Sequence, residues 1–187
     1  RNGTTTMLAT TVTAPLDALE RVLDATKSYL ARPMPYAKLA GVHLEGPFIS
    51  AKYPGAQNPR YIVPPNREWT ERMIKQYPGL IRMVTLAPEI GGALDLIRLL
   101  ADHGIVPAAG HTAAAYEEIQ EAVSCGLRHA VHMFNAMRGL HHREPGTVGA
   151  VMSDPRISTE LIADGYHVHP ACISLMVRLK TDAKLML

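Results

Sequence analysis

Three residues occupy the places from which a chain of alternating strands and helices presents chemistry. Glu45 closes the segment Leu39-Ala40-Gly41-Val42-His43-Leu44-Glu45 and is followed at once by Gly46-Pro47. His111 closes Ile105-Val106-Pro107-Ala108-Ala109-Gly110-His111, and His132 closes Arg128-His129-Ala130-Val131-His132. One carboxylate and two imidazoles, each ending its own strand, converge on one mouth if the strands run parallel. That donor set suits zinc or another borderline divalent ion and leaves a position open for water. Taken singly, a Glu at a strand end reads as a solvated rim charge and a His as a hydrogen-bonded packing residue. It is their equivalent placement that makes a metal site the sharper reading.

Polar residues further along the chain could receive a ligand. Asn135 follows His132 closely and can donate and accept, and Arg143, in Arg143-Glu144-Pro145-Gly146, can pair with phosphate or carboxylate. On spacing alone, a turn Asn and a surface Arg explain them equally well. His167, in Asp164-Gly165-Tyr166-His167, follows another strand and reaches the same rim, whereas His169 begins the next helix. His43 lies inside its strand and is assigned to packing behind the mouth. His103, His129, His141 and His142 read as surface or loop residues.

The elements that must position these groups follow from periodicity. Residues 4–12 are rich in Thr and Val and bounded by Gly3 and Pro15, which favours a strand. Leu16, Leu19, Val22, Leu23 and Leu30 then recur at helical spacing until Pro33. The alternation continues with strands near 39–44, 80–86, 105–109, 128–132 and 157–163, helices near 67–77, 91–103, 113–125 and 170–180, a Gly-rich loop and a short helical stretch between the strands near 128–132 and 157–163, and a last apolar piece at 184–187. A long Pro/Gly-rich loop covers 46–66. Strands separated by helices imply a parallel sheet with right-handed crossovers, either open and doubly wound or closed as a barrel. The lack of a G-x-G-x-x-G after an early strand, and polar residues at the ends of several strands, favour the barrel.

Composition narrows the function classes. The chain has 187 residues, 47% of them apolar, enough to bury a core. Its 19 basic and 17 acidic residues are interspersed, without the basic stripe that nucleic acid or an anionic membrane requires. Cys125 and Cys172 lack C-x-x-C spacing, so a reducing, cytoplasmic setting fits better than a disulfide framework. No apolar run reaches the 18 residues or so of a membrane span, and no leader pattern precedes the first strand.

Several motifs taken in order resemble the N-acetylglucosamine-6-phosphate deacetylase family of the amidohydrolase superfamily. They are His43-Leu44-Glu45-Gly46-Pro47-Phe48, Gly55-Ala56-Gln57-Asn58-Pro59, Gly110-His111-Thr112, His132-Met133-Phe134-Asn135-Ala136-Met137, Arg143-Glu144-Pro145-Gly146 and Ala163-Asp164-Gly165-Tyr166-His167. The resemblance implies an α/β fold, an incomplete (β/α)8 TIM barrel comprising roughly strands two to eight over residues 1–187. The first strand, the end of the eighth and the flanking β-sandwich are expected to lie outside the chain. Such a barrel leaves two sheet edges open, which predicts poor stability or compensating association.

The resemblance also implies roles. Glu45, His111 and His132 are expected to hold one or two divalent ions, zinc first, with iron, manganese or cobalt as alternatives. Asn135, Ala136 through its backbone, Arg143 and His167 are expected to contact an amino-sugar phosphate, Arg143 from the neighbouring subunit of a homodimer. Gln57 stands where some members carry a His that polarises the substrate carbonyl. The implied reaction is hydrolysis of the acetamide by a metal-activated water, with an Asp shuttling the proton. That Asp is expected just after Leu187, and Asp182, which precedes the last apolar piece, is read as a decoy, so the chain alone is expected to be catalytically impaired. Another amidohydrolase, or a sugar-phosphate-binding barrel fragment without catalysis, would share much of this pattern.

Overall fold

The computed structural model describes residues 3–33, 36–180 and 184–186; Asp182 lies outside them. Seven strands form one parallel sheet in the order β1 to β7, each paired with its sequence neighbours. They are β1 (Thr6–Thr10), β2 (Lys38–Glu45), β3 (Ile81–Leu86), β4 (Val106–Ala109), β5 (His129–Ala130), β6 (Ser158–Glu160) and β7 (Leu185–Met186). Between them run α1 (Leu16–Leu30), α2 (Arg67–Gln76), α3 (Ala93–Asp102), α4 (Tyr116–Cys125), α5 (Gly146–Ser153) and α6 (Pro170–Leu179). A sheet whose spatial order equals its chain order, with a helix in every crossover, curls in one sense. The result is an incomplete (β/α)8 barrel, as the sequence predicts.

The helices start where local chemistry stops the preceding segment. Pro15 stands at the N-cap position of α1 without a side-chain bond, its carbonyl accepting the Leu19 N–H, and Leu19 and Leu23 on the inner face of the helix are buried. The Asn66 side chain accepts the Trp69 N–H at the start of α2, and Glu118 reaches back to the Ala115 N–H at the start of α4. The core lies between sheet and helices: Val42, Leu44, Val84 and Leu86 on the strands meet Leu23, Trp69, Met73, Ile97 and Ile119 on the helices.

Two expectations change. The strand near 128–132 keeps regular pairing only at His129–Ala130, because His132 turns to a positive φ of 32°, although the Val131 N–H still reaches the Ala109 carbonyl at 3.0 Å. His129, read as a surface or loop residue, is 1% exposed. Its Nδ1 lies 2.9 Å from Ser158 Oγ and its Nε2 lies 3.6 Å from the Glu160 carboxylate. A single polar residue in a two-residue strand carries no alternation from which its face could be read.

Gly110 lets β4 pass into the site, since a Cβ there would overlap Val131 Cγ2 and come within 2.8 Å of Thr85 Cγ2. Gly110→Ala is expected to destabilise the fold by about 1–3 kcal/mol through overpacking, read from urea denaturation. Near α5, Arg156 holds the buried Asp154 carboxyl down from 3.8 to about 2. A carboxylate with a depressed folded pKa contributes stability above its unfolded value and loses it as pH falls through the folded one. Asp154→Asn should therefore be less stable than wild type at pH 6, with the gap closing between about pH 4 and pH 2 as the wild-type group protonates. Urea midpoints collected across that range measure it.

Candidate metal centre

Glu45, His111 and His132 come from the ends of β2, β4 and β5 and meet at one side of the sheet. Glu45 Oε1 lies 2.9 Å from His111 Nε2 and 3.5 Å from His132 Nε2, and the two Nε2 atoms are 3.1 Å apart. Two ligands on a tetrahedral ion with bonds near 2.0–2.1 Å stand about 3.3–3.4 Å from each other, so the three atoms, 2.9–3.5 Å apart, would need to part by only a few tenths of an ångström to share one ion. The imidazoles meet edge to face, with ring centroids 4.7 Å apart.

The tautomers can be worked out from the backbone. His111 Nδ1 faces the Tyr53 carbonyl at 3.1 Å, and His132 Nδ1 faces the Asn135 carbonyl at 3.0 Å. A carbonyl only accepts, so each Nδ1 carries the proton and a neutral ring turns a bare lone pair inward from Nε2. Three electron-rich atoms then converge with little between them, an arrangement relieved by a proton or by a cation. Burial by itself would raise the Glu45 carboxyl, but hydrogen bonds from His111 and His132 outweigh it and hold the group far below the carboxylate range. Burial by itself would lower His132, but its bond to Glu45 prevails and raises it. A divalent cation meets the same demand, and with one carboxylate and two backbone-oriented imidazoles the donor set fits one.

The long loop after β2 packs against this centre. Ser50 N–H donates to the His111 carbonyl at 2.8 Å, and a Cβ on Gly55 would come within 3.2 Å of His111 Cε1 and 3.3 Å of the Ala136 Cβ. Gln57 is buried, with Nε2 2.9 Å from Glu45 Oε1. His43, buried behind Glu45, has Nε2 2.7 Å from Thr85 Oγ1, in keeping with a packing role. His111, His132, Phe134 and Ala136 all have positive φ without being glycine. Residues held there, at about 1–3 kcal/mol each, concentrate at functional sites.

The other predicted site residues are distributed unevenly. Asn135 and Ala136 sit half-buried in the loop that also anchors His132. Arg143 is exposed, and its backbone N–H donates to His141 Nδ1 at 3.3 Å. His167 is exposed and pairs with Asp164 at 2.7 Å, an arrangement in which backbone N–H groups of His167 and Tyr166 hold the Asp164 carboxyl near 2. Among the described residues no hydrogen bond or ion pair joins Arg143 or His167 to the three converging groups.

One organising residue escaped sequence reading. Glu89, in the loop after β3, accepts the Thr112 hydroxyl at 2.5 Å and the Ala113 N–H at 2.7 Å. Thr112 in turn donates its N–H to the Ala136 carbonyl and accepts the Arg138 N–H, so the loops bearing His111 and His132 are tied together. The signal was a carboxylate just past a strand, Leu86-Ala87-Pro88-Glu89, like that of Glu45. Glu89→Gln replaces one of two required acceptors with a donor and should reduce stability by about 1.5–3 kcal/mol, measured by urea denaturation of the metal-free chain.

No protein-family model matches the chain. Individual relatives do. It is 40% identical over 188 residues to the N-acetylglucosamine-6-phosphate deacetylase of Bacillus subtilis, covering 99% of this chain and 48% of that protein. It is 41% identical to the N-acetylgalactosamine-6-phosphate deacetylase of Escherichia coli O157:H7, covering 94% and 46%. The crystal structure of N-acetyl-D-glucosamine-6-phosphate deacetylase from Mycobacterium smegmatis superposes with a TM-score of 0.92 at 36% identity, over 98% of this chain and 47% of that one. An aspartate-to-alanine mutant of that protein, in complex with N-acetyl-D-glucosamine-6-phosphate, superposes equally well. The chain is therefore a relative, in sequence and in fold, of the N-acetylglucosamine-6-phosphate deacetylases, and it spans about half the length of the curated relatives it matches.

Proposed function

We propose that these residues carry the metal-binding part of a hydrolytic centre that converts N-acetyl-D-glucosamine 6-phosphate to D-glucosamine 6-phosphate and acetate. The observation that carries this reading is the convergence of Glu45 Oε1, His111 Nε2 and His132 Nε2 within 3.5 Å of one another, with both rings oriented by backbone carbonyls. Zinc is the ion of choice for one carboxylate and two imidazoles, and when bound it supplies Lewis acidity and activation of water at neutral pH. Glu45 holds its negative charge against the cation, and the fixed Nδ1–H donors of His111 and His132 keep both rings from rotating away.

The remaining assignments concern the substrate. Asn135 and the Ala136 backbone lie in the His132 loop and are proposed to hold the amino sugar. Arg143 and His167, both exposed, are proposed to receive the 6-phosphate, with Arg143 offered to the site of a second subunit in a homodimer. The proton-transferring Asp is assigned to a segment outside these 187 residues, together with the rest of the barrel and a β-sandwich. A cytoplasmic setting is proposed with it, in keeping with two free cysteines. The galactosamine epimer is the second reading, favoured by the equal identity of the Escherichia coli relative.

The purified chain is expected to retain about one zinc per molecule by elemental analysis, and Glu45→Ala is expected to lose it. A wild-type chain without stoichiometric metal would overturn the reading. In a polypeptide of the relatives' full length, acetate release from the glucosamine and galactosamine substrates compared side by side decides between the epimers, and release from neither removes the deacetylase assignment.

A further inference from the structure

We propose that Gln57 is a positioning residue for Glu45: its amide, anchored by the Thr13 backbone, sets the orientation of the carboxylate that admits a divalent cation between Glu45, His111 and His132. The inference rests on the metal-binding reading above, and it concerns a position where the resemblance predicts a direct contact with the substrate carbonyl.

The orientation of the Gln57 amide is determined by its partners. The Thr13 main-chain N–H lies 2.6 Å from one end of the amide, and a main-chain N–H can only donate, so that end is the oxygen. The other end is then the NH2 group, and it lies 2.9 Å from Glu45 Oε1, the oxygen that faces both imidazoles. The residue is 8% exposed and its own N–H is held by the Pro54 carbonyl at 2.9 Å, so the side chain is fixed at its root and at both tips.

Glu45 needs such a partner. The last torsion of a glutamate is broad, and without a directed donor its two oxygens exchange places at little cost. The donor here is also neutral. A Lys or Arg in the same place would orient the carboxylate but compensate its charge and compete with a cation, whereas an amide N–H fixes the oxygen and leaves the full negative charge available. The anchoring is long-range: Thr13 follows β1, Glu45 ends β2, and Gln57 lies in the loop beyond, so one side chain ties three segments to the centre. One of the two amide hydrogens is directed at Glu45, so Gln57 acts on the reaction through the metal ligand.

The test is the Zn²⁺ affinity of the chain, measured by competition with a chromophoric chelator, together with the visible spectrum of the Co²⁺-loaded protein. Gln57→Leu removes both partners' contacts and is expected to weaken Zn²⁺ binding by about 10–100-fold, the range typical of losing a group that orients a metal ligand, and to shift the Co²⁺ bands. Gln57→Asn keeps the amide but is one methylene too short to reach Thr13 and Glu45 together. It is expected to behave alike, and it carries the test if the Leu variant does not fold. Unchanged Zn²⁺ affinity in a folded variant overturns the proposal and returns Gln57 to a direct role at the substrate. If the wild-type chain binds no Zn²⁺, the metal reading itself falls and takes this inference with it.

Discussion

The centre depends on two backbone carbonyls. Tyr53 and Asn135 each accept the Nδ1 proton of one imidazole, and in doing so turn the other nitrogen of His111 and His132 toward Glu45. Without those acceptors each ring could reverse its tautomer or swing, and the convergence of three lone-pair donors would be one arrangement among several. With them, the three donor atoms are held in an arrangement that fits a divalent cation.

The rest of the structure serves to bring those carbonyls and rings to one place. The parallel sheet puts the ends of β2, β4 and β5 on the same side, and the loop after β2 folds across them with Tyr53, Gly55 and Gln57. Glu89 and Thr112 connect the turn after His111 to the turn after His132, so the spacing of the rings is not left to the strands alone. Beneath, His43 and Thr85 fill the sheet interior with a satisfied polar pair, where an unpaired group would be expensive.

Much of this was legible in the sequence because it follows from position along a strand. Glu45, His111 and His132 each end an apolar segment, and in a parallel sheet those ends share a face, so their meeting requires no knowledge of distances. The helices were readable from the spacing of their apolar residues, as at Leu16, Leu19 and Leu23, where Pro15 marks a start that the chain uses. What could not be read were bonds made by the main chain to distant side chains. The Thr13 N–H that fixes Gln57 lies 44 residues away and is independent of residue type, so no pattern announces it. His129 was misread for a related reason: the strand holding it is two residues long, and burial there is decided by Ser158 and Glu160 on the adjoining strand.

The left-handed backbone at His111, His132, Phe134 and Ala136 has a consequence for how such a chain can evolve. At Ala136, glycine would remove the steric penalty of a Cβ at positive φ, partly offset by the greater freedom it gives the unfolded chain, whereas at Phe134 it would also lose a ring packed against the core. At His111 and His132 that relief is unavailable, since the imidazole is the reason for the residue. Selection for stability can therefore relax the strained backbone toward glycine at Ala136, while the need for an imidazole bars that route at His111 and His132.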